Sequence, residues 1–306
     1  MHWAVRHVAS GQAFFTGATL FVAAAVVSLF LPRIANRLAL WTLLLGGTAV
    51  AVSSTPIPYW YYAVVAVASV GWAVATCVGK AQRGAVIAVV VLWLIAVVLE
   101  APYHVVPRLQ PASSRTLTVL GDSVTAGMGA DDKSEKWPAI LAKQHDLTVQ
   151  DLSHMGETVG SARKRLACCR ITGAVVIVEI GGNDLLGGTP VRQFAHDLDA
   201  LLERVCSPER QVMMFELPLP PFSHEYGRVQ RQLARKYGVA LIPKRIFLSV
   251  LASDGATLDT IHLSQSGHQL MAECVWGLLR PAFSQQPEEP YAADQTRLSQ
   301  AADVVR

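Results

Sequence analysis

Of the chain's 306 residues, 52% are hydrophobic and 16% charged, a balance more apolar than a soluble globular domain of this size shows. Before residue 105 the only charged side chains are Arg6, Arg33, Arg37, Lys80, Arg83 and Glu100, so the formal charge of +3 belongs to the first third and the remainder is near neutral. That balance excludes a nucleic-acid binder, which needs a basic face, and five cysteines in so apolar a chain exclude both disorder and a disulfide scaffold.

Long uncharged runs come first. No charge lies between Arg6 and Arg33 or between Arg37 and Lys80, and Glu100 stands alone after Arg83. About 20 apolar residues cross a bilayer core, and a helix satisfies its own backbone there. Spans are therefore predicted at 11–31, 38–54, 59–79 and 84–103, within a membrane domain of residues 1–105; the Ser-Ser-Thr-Pro-Ile-Pro run at 53–58 separates the middle two. A cleaved signal peptide is disfavoured, because no small-residue cleavage pattern follows the first span and three more spans do. The runs are apolar on every face, unlike the striped helices of a soluble core.

Arg33 and Arg37 fall between spans one and two, Lys80 and Arg83 between three and four. Basic short loops stay in the cytoplasm, so the N-terminus and everything after residue 105 are expected outside. Tyr59, Trp60, Tyr61 and Tyr62 at the opposite end agree, while Arg6, Arg108 and Arg115 run against it. Glu100, within the last turn before Pro102, reads as an interfacial structural residue. With no other ionisable group inside the spans, an ion or proton pathway has nothing to run on.

A linker at 106–114 leads into a domain at 115–283 where short apolar runs alternate with amphipathic ones. Strands are predicted at 116–120, 147–152, 174–180, 212–217 and 239–242, and helices at 136–143, 158–168, 191–205, 225–236 and 264–279. This alternation implies an α/β fold with a parallel sheet covered on both faces and active residues at the carboxyl ends of the strands. Residues 284–306 read as a disordered polar tail.

The first strand runs into Gly121-Asp122-Ser123, a turn that would present a serine hydroxyl at the mouth of the sheet; a serine there could equally cap the next helix. Gly156 follows the second strand and Gly181-Gly182-Asn183-Asp184 the third. In the common doubly wound order these two loops flank Ser123, where an oxyanion hole must sit; taken singly, each residue also fits an ordinary turn. Asp259-Thr260-Ile261-His262 precedes the last helix, and Asp259 could orient His262 as the base a serine nucleophile needs. The pair could also bind metal, but no further ligand has zinc-like spacing.

In this order the four blocks resemble the SGNH or GDSL family of serine hydrolases, over roughly residues 115–283, and most of all its thioesterase, lysophospholipase and arylesterase branch. The resemblance implies a flavodoxin-like three-layer α/β/α sandwich. It implies Ser123 as nucleophile, His262 as general base and then acid, Asp259 as its orienter, and Ser123, Gly156 and Asn183 as oxyanion donors, with no cofactor and no metal. The second block reads Gly-Glu-Thr where relatives often have Gly-Asp-Thr.

The expected protein is thus a multi-pass membrane-anchored serine esterase with its catalytic domain outside the cytoplasm. Its partners would be the bilayer and an acyl ester, thioester or lysophospholipid. Competing readings are an envelope glycan O-deacylase or acyltransferase, and a non-catalytic sensor or scaffold. Elsewhere, His268 is expected on a helix surface, Glu179 as a buried hydrogen-bonded acid, and Arg163, Lys164, Arg165 and Arg170 as a solvated face. Cys168, Cys169, Cys206 and Cys274 offer disulfide partners with the pairing open.

Overall fold

A computed structural model describes residues 3–79, 83–129, 132–259 and 261–284, so Lys80, Thr260 and the tail from 285 lie outside the described residues. A short helix α1 (Trp3–Ala9) precedes α2 (Gln12–Phe30). Next, α3 (Pro32–Trp41) continues through a π-helical turn, Thr42–Gly46, into α4 (Gly47–Val52), and α5 (Tyr59–Cys77) and α6 (Arg83–Glu100) follow. Among the described residues four stretches are long and apolar enough to cross a membrane: Gln12–Phe30, Pro32–Val52, Tyr59–Cys77 and Arg83–His104. The second begins earlier than the apolar run because Pro32 sits at the helix start, where a missing N–H costs nothing, and Arg33 and Arg37 ride its first turns. Between the helices Phe21 stacks on Trp93 at 4.8 Å. Tyr61 donates to the Leu92 carbonyl at 2.7 Å and Trp93 to Ser69 at 3.1 Å, polar contacts of the kind that hold helices together in lipid.

The rest is a five-stranded parallel sheet, β1 (Thr116–Gly121), β2 (Thr148–Asp151), β3 (Val175–Glu179), β4 (Gln211–Phe215) and β5 (Ala240–Ile242), in the order β2-β1-β3-β4-β5. Alternate side chains enter opposite cores. Leu117, Val119, Val175 and Ile177 pack with Trp137 and Leu141 of α8 (Trp137–His145) and with Met271 and Val275 of α14 (Gln265–Phe283), whereas Leu120, Val176 and Val178 pack with Phe194, Leu198 and Leu202 of α11 (Val191–Val205). The sheet is therefore the middle layer of three, as the resemblance implies. Strand β1 lies between β2 and β3, so the loops after all three adjoin.

Three residue readings need correction. His268 is fully buried, not on a helix surface, because it shares an inward stripe with Met271, Ala272 and Val275 along the last helix. The cysteines are all free, so none of the four candidates is paired. Glu179 is a buried acid accepting from Thr125 at 2.8 Å. Arg163 and Arg165 are engaged with Asp197 and Glu157 and so are not purely solvated.

The segment at 106–114 is tied to the sheet domain: Leu109 and Ala112 are buried in its core and the Ala112 N–H donates to the Ala282 carbonyl at 2.9 Å. Above the spans the two parts meet through charge. Glu100, the last residue of α6, is buried and takes a bidentate grip from Arg231 at 2.6 and 2.8 Å. The same guanidinium donates to Glu216 at 2.6 Å and stacks on Tyr103 at 3.6 Å. Lys244 donates to the Ser54 carbonyl and, at 3.0 Å, to its hydroxyl; His224 donates to the Ser53 carbonyl at 2.7 Å. Helices α4 and α6 both end here, and cations suit the orphan carbonyls and negative dipole of a helix C-terminus. Gly227 admits Pro56 to this interface; a Cβ there would stand 3.0 Å from the proline ring. Glu100 is thus a structural residue, as expected, but enclosed between two domains and not set against headgroups.

Candidate active site

Strand β1 ends at Gly121 and the chain turns at once into the single-turn helix α7 (Ser123–Ala126). The cap is Asp122, whose carboxylate accepts the Val124 N–H at 3.0 Å, which removes capping as the reason for a serine at 123. Ser123 lies at the carboxyl edge of the sheet, nearly buried. Beneath it the Trp137 indole donates to Thr125 at 3.2 Å and Thr125 to Glu179. Burial, then the neighbouring Asp122, pushes the Glu179 carboxyl well above its ordinary range, and burial likewise raises Asp122.

The loops after β2 and β3 close on this turn. The His154 N–H donates to the Gly121 carbonyl at 3.0 Å, and Gly156 follows in the left-handed region at φ 72°, where only glycine is unstrained. The β3 loop forms α10 (Gly182–Leu186), whose Asn183 amide donates to the Glu157 carbonyl at 3.0 Å and to Asp122 at 3.3 Å, joining all three loops. Asp184 is buried and accepts the Val159 N–H at 2.8 Å, which fixes the start of α9 (Val159–Arg165) against α10. Asp122 and Asp184 belong to the motifs read from sequence, but their holding roles were visible only in three dimensions.

Asp259 and His262 form a closed turn. One carboxylate oxygen accepts the Ile261 and His262 N–H groups at 2.7 and 2.9 Å, and the other accepts His262 Nδ1–H at 2.7 Å. These donors hold the Asp259 carboxyl far below its usual range. The Leu258 N–H to His262 carbonyl bond at 2.8 Å shuts the turn. The imidazole therefore has a fixed tautomer, leaving Nε2 as acceptor. No hydrogen bond joins Ser123 Oγ to His262, and such catalytic contacts are often long without substrate. Among the described residues no cluster of three or more His, Cys, Asp or Glu side chains has metal-binding geometry.

Comparison with known proteins gives a match to the GDSL-like lipase/acylhydrolase family over residues 119–270. Esterase TesA of Pseudomonas aeruginosa is 29% identical over 200 residues, covering 61% of this chain and 98% of the relative. Thioesterase 1/protease 1/lysophospholipase L1 of Escherichia coli is 27% identical over 188 residues, covering 58% and 90%, and an arylesterase of Vibrio mimicus is 27% identical over 175 residues, covering 53% and 87%. A crystal structure of TesA superimposes with a TM-score of 0.48 at 29% identity, over 54% of this chain and 98% of the other.

Proposed function

From the membership of residues 119–270 in the GDSL-like lipase/acylhydrolase family, which makes the chain a hydrolase of the esterase and thioesterase kind, we propose a membrane-anchored serine esterase. Ser123 is its nucleophile. Its Oγ attacks the acyl carbon while His262 Nε2 takes the proton, and the developing imidazolium is held by Asp259. The N–H groups of Ser123 and Gly156 receive the oxyanion, joined by the Asn183 amide as it exchanges its 3.3 Å bond to Asp122 for the substrate, each such donor being worth about 10² to 10³ in rate. His262 then returns its proton to the departing alkoxide. Water, activated by the same ring, cleaves the acyl-enzyme and frees the acid. The observation that supports this reading is the closed Asp259–His262 turn, together with a serine at the sheet's carboxyl edge that is not the cap of its helix.

The four apolar helices are its anchor, and the catalytic domain lies outside the cytoplasm. Arg33 and Arg37 begin α3, at the opposite end of the bundle from Ser53, Ser54 and Glu100, where the catalytic domain docks. Basic residues at the far end favour cytoplasmic placement of that end. Acyl-coenzyme A is confined to the cytoplasm, so lipid or envelope esters are the substrates that fit.

The test is para-nitrophenyl ester hydrolysis, from acetyl to palmitoyl, by detergent-solubilised protein beside Ser123→Ala. We expect turnover and fluorophosphonate labelling that both vanish in Ser123→Ala. Labelling that survives the substitution sinks the assignment. A folded protein that turns over no aryl ester instead favours a glycan ester.

A further inference from the structure

In the sheet domain, from residue 106 onward, five large apolar side chains stand far into solvent among the described residues: Met128, Met155, Leu186, Phe222 and Leu258, at 47%, 50%, 70%, 76% and 59% exposure. Their positions are not scattered. Met128 follows β1 and α7, Met155 follows β2, Leu186 ends α10 after β3, Phe222 follows β4, and Leu258 opens the turn that carries His262. The segments that follow β1, β2, β3 and β4 each contribute one and the turn that carries His262 the fifth, whereas loops at the opposite edge present Asp146, Arg170 and Glu209. A ring of apolar side chains around a site, on an otherwise polar domain, marks an interaction surface.

The direction of that edge identifies what it meets. Glu216, just past β4, reaches the end of α6 through Arg231 and Glu100. Phe222, at φ 67°, lines a slot of about 410 Å³ with Val50, Tyr62, Val65, Val70 and Trp93, so its side chain already reaches the level of the spans. Strands lie about 4.8 Å apart, which sets β1 about 10 Å from β4 across the same edge. The rim around Ser123 therefore continues sideways from the docked end of the bundle, over the bilayer that holds it.

We propose that this rim is an interfacial surface: Met128, Met155, Leu186 and Leu258 lie in the headgroup and upper acyl region of the chain's own bilayer, with Phe222 as the inner anchor, so that a lipid-borne ester enters the site without crossing bulk water. The proposal deepens the esterase reading and rests on it for the substrate, but the contact itself is independent of catalysis.

The experiment uses the full chain carrying Ser123→Ala, reconstituted in phosphatidylcholine vesicles, with p-benzoylphenylalanine placed singly at positions 155, 186, 258, 67 or 209. Val67, exposed on α5, reports insertion, and Glu209, on the opposite edge, reports background. Lipid adducts at 155, 186 and 258 within about threefold of those at 67, and at least tenfold above 209, are expected. Adducts at 67 without any at the rim overturn the proposal, as do rim adducts to protein alone. Failure of Ser123 labelling in the ester experiment, by contrast, would remove the enzyme and leave the rim contact standing.

Discussion

At the scale of single residues the candidate site depends on who fixes whom. Asp259 spends its carboxylate on its own turn and on His262 Nδ1, and so decides which ring nitrogen is left free as acceptor. Replacing it by Asn permits the wrong tautomer, and kcat should fall by about 10² to 10⁴ with little change in KM; an unchanged kcat on the ester series would remove Asp259 from the triad. His268 makes a different prediction. Burial lowers its pKa to about 4, and neither ring nitrogen has a partner among the described residues. The unfolded chain takes up a proton near the ordinary value of about 6.5 and the folded one does not, so stability is full above that pH. It should decline between about pH 6.5 and about pH 4, by at most about 1.4 kcal/mol per pH unit. Thermal unfolding in detergent at pH 7 and pH 5 should show the decline, and His268→Leu should flatten it. The burial of His268 was legible: Met271 and Val275 stand three and seven residues on, the stripe spacing, and only the polarity of imidazole argued otherwise.

Among elements, most helices and the central strands β1, β3 and β4 were readable, because those strands are buried and read as short apolar runs between polar ones, whereas the edge strand β2, Thr-Val-Gln-Asp, shows only through the leucines that flank it. Helix α13 (Lys244–Leu251) was not, since it starts on Lys-Arg directly after β5 and is only two turns long. Its first residue is the clearest case of what a linear reading cannot reach. Lys244 is a lysine at a helix start until the chain turn at Ser54, 190 residues earlier, is laid against it. Glu100 and Arg231 are separated by 131 residues in the same way. Because this network is buried, removing one member leaves charge without an answer, at a cost of about 3 to 5 kcal/mol. Arg231→Met should therefore lower the unfolding temperature of the full chain and open the contact between α6 and α12 (His224–Tyr237). Hydrogen exchange across α12 no faster than in the parent would show that the contact does not rest on this pair.

For the molecule as a whole, orientation is a matter of charge at the two ends of the bundle. The native cysteines can read it. Cys168 is exposed on the catalytic domain, whereas Cys77 is exposed at the end of α5 away from that domain. In intact cells a membrane-impermeant maleimide should label Cys168 and spare Cys77, and permeabilised cells should label both; the reverse pattern in intact cells would place the catalytic domain in the cytoplasm. The network at Arg231 has one more effect. P. aeruginosa TesA is matched along 98% of its length by 61% of this chain, so more than a third of the chain has no counterpart there. In this chain the same fold carries two buried cations, Arg231 and Lys244, around one carboxylate, Glu216, beside a glycine groove shaped for Pro56. Cut away from the helices, that face would be a lone basic hollow with nothing to fill it. The hydrolase has thereby ceased to be a portable module: expressed by itself it would lack one wall, and transplanting it onto another anchor would require carrying Glu100 and the Ser53–Pro58 turn along with it.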